Sequence, residues 1–311
     1  MREALYTTAR LAAFDITRLL RKRSTILVIL LFVLPIATAV LVRAWGPETR
    51  SNPELWAFML GVSLAQGAGG GPVMGLVGVN LFSWWWLIVA LYAGDVIARD
   101  IEEGTLYLVL SRPVTRGQIL AAKAISTTAL LALYAVIGAY SVYGAAWIIA
   151  GAQENAWGPL VSGLALAVGS LPLIAVGFII GLLTRKSTTS IIVVVAVYFV
   201  ASIIVGILGF AALIARGQGN FMETGLLFSA LIPLDGGKHF AALTYTRLAE
   251  GPVVAPLEGF TETITIGGKT VTLTAGPINV GRLLNIAIVS LAAWAAGLLG
   301  LAYLLFRNRD F

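Results

Sequence analysis

Residues 94–123 read GDVIARDIEEGTLYLVLSRPVTRGQILAAK and lie between long hydrophobic segments that carry essentially no ionisable side chains. The charged residues of this hinge are Asp95, Arg99, Asp100, Glu102, Glu103, Arg112, Arg116 and Lys123. Such a contrast predicts a polar hinge between two membrane spans, at which a partner docks from the water side.

The first half of the hinge predicts a helix end followed by a short apolar helix. Asp95 and Arg99 are spaced i,i+4, as in a helical ion pair. Gly104 suits a helix C-cap, because glycine takes the left-handed conformation without steric cost. Thr105 is then predicted to N-cap a short helix over residues 106–110.

The second half of the hinge predicts a new helix. Pro113 ends the short helix, because the residue before a proline disfavours helical geometry. The sequence Thr115-Arg116-Gly117-Gln118 has the spacing of a capping box and precedes an apolar run. A long helix is therefore expected to start near residue 116.

Two groups of hinge residues form the pattern E-x-G-T-L followed by L-S-x-P-V-x-R. This pattern resembles a signature of the membrane subunits of type 2 ABC exporters, the six-span permeases that pair with a separate ATPase. In that family the segment is the intracellular coupling helix, which sits in a groove of the ATP-binding subunit. The resemblance implies ATPase coupling for Glu102, Glu103, Gly104, Thr105, Leu106, Leu110, Ser111, Arg112, Pro113 and Arg116. The apolar residues 106–110 would form the core of the contact, and the charged residues would form its rim.

The composition is that of a multi-pass membrane protein. Hydrophobic residues make up 59% of the chain and charged residues 12%, whereas soluble domains have roughly 45–50% and 25%. The chain has no cysteine, which excludes disulfides and thiol chemistry. Its net charge of +6 is explained by membrane topology rather than by nucleic-acid binding.

The predicted fold is an all-α integral membrane protein with six transmembrane helices. Each span is near the ~20 residues that a bilayer requires. The spans cover residues 25–42, 76–94, 124–150, 160–184, 188–215 and 283–306, and none contains Asp, Glu, Lys or Arg. Residues 1–24 precede them as a basic amphipathic helix on the membrane surface, similar to the elbow helix of the exporter permeases.

The remaining chain is divided by these spans. Spans one to five and the coupling segment 95–118 occupy residues 25–215, an external segment follows at 216–282, and residues 283–311 hold the sixth span and the C-terminus. Lys and Arg are divided 14 to 7 in favour of the side that carries the hinge and both termini. The positive-inside rule therefore predicts cytoplasmic termini in the plasma membrane.

The external segment is predicted to contain a β-hairpin at 262–275, where polar and apolar residues alternate around Gly267-Gly268. Residues 222–248 read as one or two short helices on or near the outer surface. Trp84, Trp85 and Trp86 lie within the second span and favour lipid-facing packing, with a dimer interface or a lipid-like substrate path as the alternatives. Pro172 is expected to bend the fourth span.

Several tempting motifs do not hold. Gly268-Lys269-Thr270 resembles the end of a phosphate-binding loop, but the pattern needs glycine at Thr263. The ATPase is therefore expected in a partner subunit, which would hold ATP and Mg²⁺, and no cofactor or catalytic residue is expected here. The single histidine, His239, with Asp235 four residues earlier, is too few ligands for a metal site.

The leading hypothesis is the permease subunit of an ATP-driven ABC exporter. Its expected partners are an ABC-type ATP-binding subunit, a second permease copy or paralogue, and membrane lipid, but no nucleic acid. A secondary transporter or channel is one alternative, against which the lack of ionisable residues in the predicted spans argues. A non-transport scaffold is the other, and it would leave the well-capped hinge unexplained.

Overall fold

The computed structural model describes residues 2–22, 55–60, 85–111, 113–216, 218–235, 237–248, 261–266, 269–274 and 278–309, with scattered positions between 25 and 41. The first predicted span therefore falls on residues of which the structure describes only part. Residues 76–84 of the second predicted span lie outside the described residues.

The described chain is built mainly of helices. They are α1 (Arg2–Leu20), α2 (Leu55–Leu60), α3 (Trp85–Glu102), α4 (Thr105–Leu110), α5 (Arg116–Ala150), α6 (Gly158–Gly169), α7 (Leu171–Thr184), α8 (Ser187–Arg216), α9 (Phe221–Leu231), α10 (Lys238–Leu248) and α11 (Val280–Arg307). Three short strands, β1 (Gln218–Asn220), β2 (Thr261–Ile266) and β3 (Lys269–Thr274), form one sheet.

Four helices among the described residues are long and apolar enough to cross a membrane. They are α5, the continuous stretch of α6 and α7, α8 up to Ala215, and α11. Helix α3 has 18 residues, but its last eight residues include four charged side chains. The protein is thus a multi-pass membrane protein.

The core lies where α3 packs against α7 and α8, and where α5 packs against α1 and α6. Trp85 is 1% exposed and donates from its ring nitrogen to the Ser170 hydroxyl at 2.9 Å. Trp86 stacks on Tyr198 with ring centroids 4.5 Å apart. The lipid-facing prediction is therefore wrong for Trp85 and Trp86, because both rings are buried inside the chain, whereas Trp84 lies outside the described residues.

The fourth predicted span is interrupted at Ser170, which separates α6 from α7. Pro172 is in the first turn of α7, where its missing N–H and fixed φ are tolerated. The Ser170 hydroxyl donates back to the Leu166 carbonyl at 2.7 Å. The interruption lies two residues before the proline, in the part of the span where the sequence predicts a bend.

The α9–α10 pair reaches deeper into the helix bundle than the sequence predicts. The Leu231 carbonyl, at the end of α9, accepts hydrogen bonds from Ser290 at 2.9 Å and from the Trp294 ring nitrogen at 3.0 Å. Trp294 follows Val280 by 14 residues in a helix of 28 residues, so it lies halfway along α11. The turn between α9 and α10 therefore lies at about half the depth of the long helices.

A second contact places this turn at the same depth. Gly237, with φ +86°, lies so close to α6 that an added Cβ would come within 2.6 Å of the Leu166 carbonyl oxygen. Leu166 and Gly169 are near the middle of the stretch from Gly158 to Thr184. From there α10 runs along α6, and Tyr245 packs beside Gly158. We call the segment from Phe221 to Leu248 the helical hairpin.

The small sheet flanks the helical hairpin in the chain, since β1 directly precedes it and β2 and β3 follow it. Strands β2 and β3 pair antiparallel from Thr261↔Thr274 to Ile266↔Lys269, which leaves residues 267 and 268 between them. Strand β1 pairs parallel to β3, with Gln218 opposite Thr272. Two strands thus pair in the segment where the sequence predicts a hairpin.

Candidate functional site

The hinge residues are joined to α1 by a network of ion pairs at one end of the bundle. We call this network the charged cluster; its members are Asp15, Arg18, Lys22, Asp95, Arg99, Asp100, Glu103 and Lys123. Helix α1 contributes Asp15 and Arg18, Lys22 lies two residues after its end, α5 contributes Lys123, and the others belong to α3 and the residue after it. The cluster therefore links three separate elements at the base of α4.

Asp100 is the centre of the charged cluster and is only 4% exposed. Its Oδ1 accepts from Arg18 at 2.5 Å and from the Thr105 hydroxyl at 3.2 Å. Its Oδ2 pairs with the Lys123 ammonium. Burial alone would raise the pKa of Asp100, but Lys123 and Arg18 outweigh burial and hold that pKa below its ordinary value.

Lys123 connects the start of α5 to both neighbours. It is 6% exposed and donates to Asp15 of α1 at 3.1 Å, in addition to its contact with Asp100 of α3. A buried ammonium between two carboxylates has its charge compensated, which a buried charge requires. Helices α1, α3 and α5 are thereby fixed to one another at this level.

A second branch of the charged cluster reaches the start of α8. Asp95 accepts from Lys22 and from the Ser187 hydroxyl, and Glu102 accepts from the Ser187 backbone N–H at 2.9 Å. Burial lowers the pKa of Lys22, and this effect exceeds the opposing attraction of Asp95. The turn between α7 and α8 is therefore held to α3.

Helix α4 is presented at the surface beside this cluster. Gly104 takes the left-handed conformation with φ +71°, as predicted, and ends α3. Leu106 is 2% exposed and belongs to the core of the chain, whereas Tyr107 is 48% and Leu108 is 70% exposed. The outward apolar face of α4 is thus formed by Tyr107 and Leu108.

Several hinge predictions need correction. Thr105 is the first residue of α4 and not its N-cap; that position is taken by Gly104, and the Thr105 hydroxyl donates to Asp100 instead. The i,i+4 ion pair at the end of α3 joins Arg99 to Glu103 at 2.6 Å, whereas Asp95 pairs with Lys22.

The other predicted site residues are divided between surface and interior. Glu102, Glu103, Ser111 and Pro113 are exposed, and Leu110 is half-buried. Arg112 lies outside the described residues. The capping box at the start of α5 is confirmed, with the Thr115 side chain accepting from the Gln118 N–H.

Arg116 contacts the C-terminal end of α11 instead of lying on an outward rim. Its guanidinium donates to the carbonyls of Phe306 at 2.8 Å, Arg307 at 2.8 Å and Arg309 at 2.6 Å. Carbonyls at a helix C-terminus lack intrahelical donors and carry partial negative charge, so a cation there is favourable. Arg116 thus joins the start of α5 to the end of α11.

The family model for the ABC-2 family transporter protein matches residues 9–311. The chain belongs to the ABC-2 transporter family. No curated protein matches the chain at significant similarity. The chain is accordingly an ABC transporter permease, a membrane subunit of a transport system.

In this ABC-2 family member, Asp15 of α1 is the part of the site that sequence reasoning missed. Asp15 interrupts a basic helix and is 8% exposed where α1 packs against α5. A carboxylate placed between Arg10 and Arg18 was a signal that this face is turned toward another cation. Of the apolar side chains of this amphipathic helix, Ala12 and Leu19 are buried, whereas Leu20 is 40% exposed.

The ABC-2 permease also has a cleft between α1, α4 and the start of α5. Its volume is about 740 Å³, within the range of roughly 300–1,000 Å³ typical of ligand pockets. Phe14 and Leu108 line it and are 68% and 70% exposed, while Asp100 and Lys123 contribute polar atoms. The charged cluster therefore borders an accessible apolar cleft.

Metal chemistry finds no support in the described part of this permease. No group of three or more His, Asp or Glu side chains converges there in a way that could hold an ion. His239 contacts the Asp235 carboxylate, four residues earlier on the same turn.

Proposed function

We propose that this chain is the membrane permease of an ABC exporter and is driven by a separate ATP-binding subunit that docks on α4. The observation that carries the proposal is the pairing of an exposed apolar face on α4, formed by Tyr107 and Leu108, with a buried ionic base beneath it. An exposed aromatic residue beside an aliphatic one is typical of the centre of a protein interface.

The charged cluster would transmit movement of α4 to the long helices. Gly104 joins α4 directly to α3, and Thr105 holds Asp100, which in turn binds Arg18 and Lys123. A displacement of α4 therefore acts on α1, α3 and α5 together. Arg116 extends the same connection to the end of α11.

Energy would come from the ATP-binding subunit, which would hold ATP and Mg²⁺. We place the protein in the plasma membrane with α4 and both termini on the cytoplasmic side, because Lys and Arg are concentrated on that side. We further propose six spans, with the first formed by residues 25–42.

A second permease copy or paralogue would complete the pathway. Helix α8 supports this proposal, since only 11% of its apolar 18-residue stretch is buried within the chain. Ile192, Ile203 and Ile207 are each about 60% exposed along it. An apolar face of this length suits either lipid or the matching face of another permease.

The docking proposal is tested by Leu108→Asp in the full chain, co-expressed with the ATP-binding subunit and purified in mild detergent. Leu108 is exposed in the permease, so the variant should fold but lose the partner, because a carboxylate would be buried in the interface. Leu248→Asp is the matched control, since Leu248 is 67% exposed at the far end of α10. Retention of the ATPase by Leu108→Asp would overturn the docking proposal.

A secondary transporter is the second candidate, because the helical hairpin carries ionisable residues at the depth of the spans, although the predicted spans themselves carry none. Asp235, Lys238 and His239 lie at or beside its tip, at half the depth of the long helices. Ionisable residues at that depth are typical of ion-coupled pathways. Transport in proteoliposomes that needs only an ion gradient, without ATP, would favour this candidate.

A further inference from the structure

The tip of the helical hairpin brings three partly buried ionisable side chains to about half the depth of the long helices. Asp235 and the first two residues of α10, Lys238 and His239, follow the Leu231 carbonyl that bonds halfway along α11. Placing charge at such depth is costly, so residues of this kind face a cavity or a partner.

Asp235 is fully used in holding the tip together. Its Oδ1 accepts from the Gly237 N–H at 3.0 Å, and its Oδ2 accepts from the His239 N–H at 3.2 Å and contacts the His239 ring at Nδ1. These bonds cap the N-terminus of α10. The Nε2 atom of His239 is left to face other groups.

Lys238 has no such compensation. In the described part of the chain, no carboxylate forms an ion pair with its ammonium; Asp235 acts on it only at longer range. It is also a cation at a helix N-terminus, where the helix dipole favours an anion. An anionic group beside Lys238 would relieve both effects.

A cavity lies against this tip. It has a volume of about 270 Å³ and is lined by α8, α9, the turn before α10 and the start of α10. Asp235, Lys238, His239 and Ser229 supply polar groups to its lining, and Val205, Phe210 and Leu213 of α8 supply apolar groups. The cavity therefore combines an apolar lining from α8 with a polar group in which Lys238 is the cation that has no ion pair among the described residues.

We propose that this cavity binds the anionic headgroup of an amphipathic transported molecule, with Lys238 and the Nε2 side of His239 contacting the headgroup. The apolar part of that molecule lies along Val205 and Phe210. That the bound molecule is transported rests on the function proposed above, whereas its binding in the cavity does not.

The test is photolabelling of the purified permease in phosphatidylcholine nanodiscs. The probe is a palmitic acid that carries a diazirine near the carboxylate, and the neutral control is the corresponding photoreactive fatty alcohol. Labelled peptides are mapped by mass spectrometry. We expect the acid to label residues 201–213 and 225–239, and the alcohol to label them weakly.

Lys238→Gln should lower the affinity of the permease for the acid probe roughly ten-fold or more, as expected for loss of a charge-assisted hydrogen bond. Arg247→Gln is the matched control, because Arg247 is an exposed cation at the other end of the same helix and does not line the cavity. Lys238→Arg should retain the labelling.

Equal labelling by acid and alcohol, or equal labelling of the Lys238→Gln and Arg247→Gln variants, would overturn the inference. Should Lys238→Gln fail to fold, competition on the unaltered protein decides: excess palmitate must displace the probe, whereas excess hexadecanol must not. No ATPase is present in this assay. Labelling that depends on Lys238 would therefore stand even if the ABC proposal failed. If the labelling were absent while the ATPase co-purified in the separate docking experiment, only this inference would be refuted.

Discussion

Replacing Asp100 with Asn removes the acceptor that Arg18 and Lys123 share. Removing one partner of a buried ion pair costs roughly 3–5 kcal/mol, because a charge is left without compensation. Here Lys123 keeps its bond to Asp15 at 3.1 Å and Arg18 keeps Glu103 at 3.0 Å. We therefore expect a loss near the lower end of that range, about 3 kcal/mol.

The pairwise part of this cost can be separated by a double-mutant cycle with Lys123→Met. Lys123→Met leaves two carboxylates without their ammonium, whereas the double variant Asp100→Asn/Lys123→Met removes the charges of one pair together. Residues in one ionic network typically show coupling of about 0.5–3 kcal/mol. We expect the double variant to lose at least ~1 kcal/mol less than the sum of the single losses.

The assay is unfolding by sodium dodecyl sulfate in mixed micelles, followed by tryptophan fluorescence. Glu103→Gln is the control, because Glu103 is 41% exposed at its side chain and exposed ion pairs contribute roughly 0–1 kcal/mol. Additive losses in the cycle, or an Asp100→Asn variant no less stable than Glu103→Gln, would refute the role of Asp100 as the centre of the cluster.

Two further predictions concern the helical hairpin and the charged cluster. Gly237→Ala should lose roughly 2–4 kcal/mol in the same unfolding assay, because its left-handed φ and the Leu166 carbonyl at 2.6 Å from an added Cβ both oppose a side chain; Gly225→Ala, where a Cβ meets nothing within 4 Å, should be neutral or slightly stabilising, and equal losses would contradict the close packing. Acid should also destabilise the charged cluster: the pKa of Asp100 is lowered by folding, so its contribution is present above the ordinary carboxyl pKa of about 3.9 and is lost as pH falls through the lower folded value. Unfolding midpoints measured against pH should fall more steeply on the acid side for the unaltered protein than for Asp100→Asn, and parallel curves would contradict this.

The hinge shows how far local sequence reaches. The short helix α4, the left-handed Gly104 and the capping box at Thr115 are as predicted, because each depends on residues within four positions of one another. The family resemblance, read from the same residues, agrees with the family match over residues 9–311.

The direction of each hinge side chain could not be predicted in this way. Leu106 is turned into the core while Leu108 is exposed, and Arg116 binds the end of α11, 190 residues later in the chain. Asp95 pairs with Lys22 rather than Arg99, and Lys22 lies 73 positions earlier in the chain, just after α1 ends. These outcomes depend on neighbours that are distant in sequence.

The sequence by itself determined that this chain is a helical membrane protein with a polar hinge, because hydrophobic length and local capping are properties of contiguous residues. Only the tertiary structure decided which charges meet. It joined Asp15 to Lys123 across 108 positions, and it brought Asp235, Lys238 and His239 to mid-depth on a hairpin that the sequence favoured near the surface. The physical reason is that burial of a charge depends on the packing of other helices around it, which no pattern along a single segment contains.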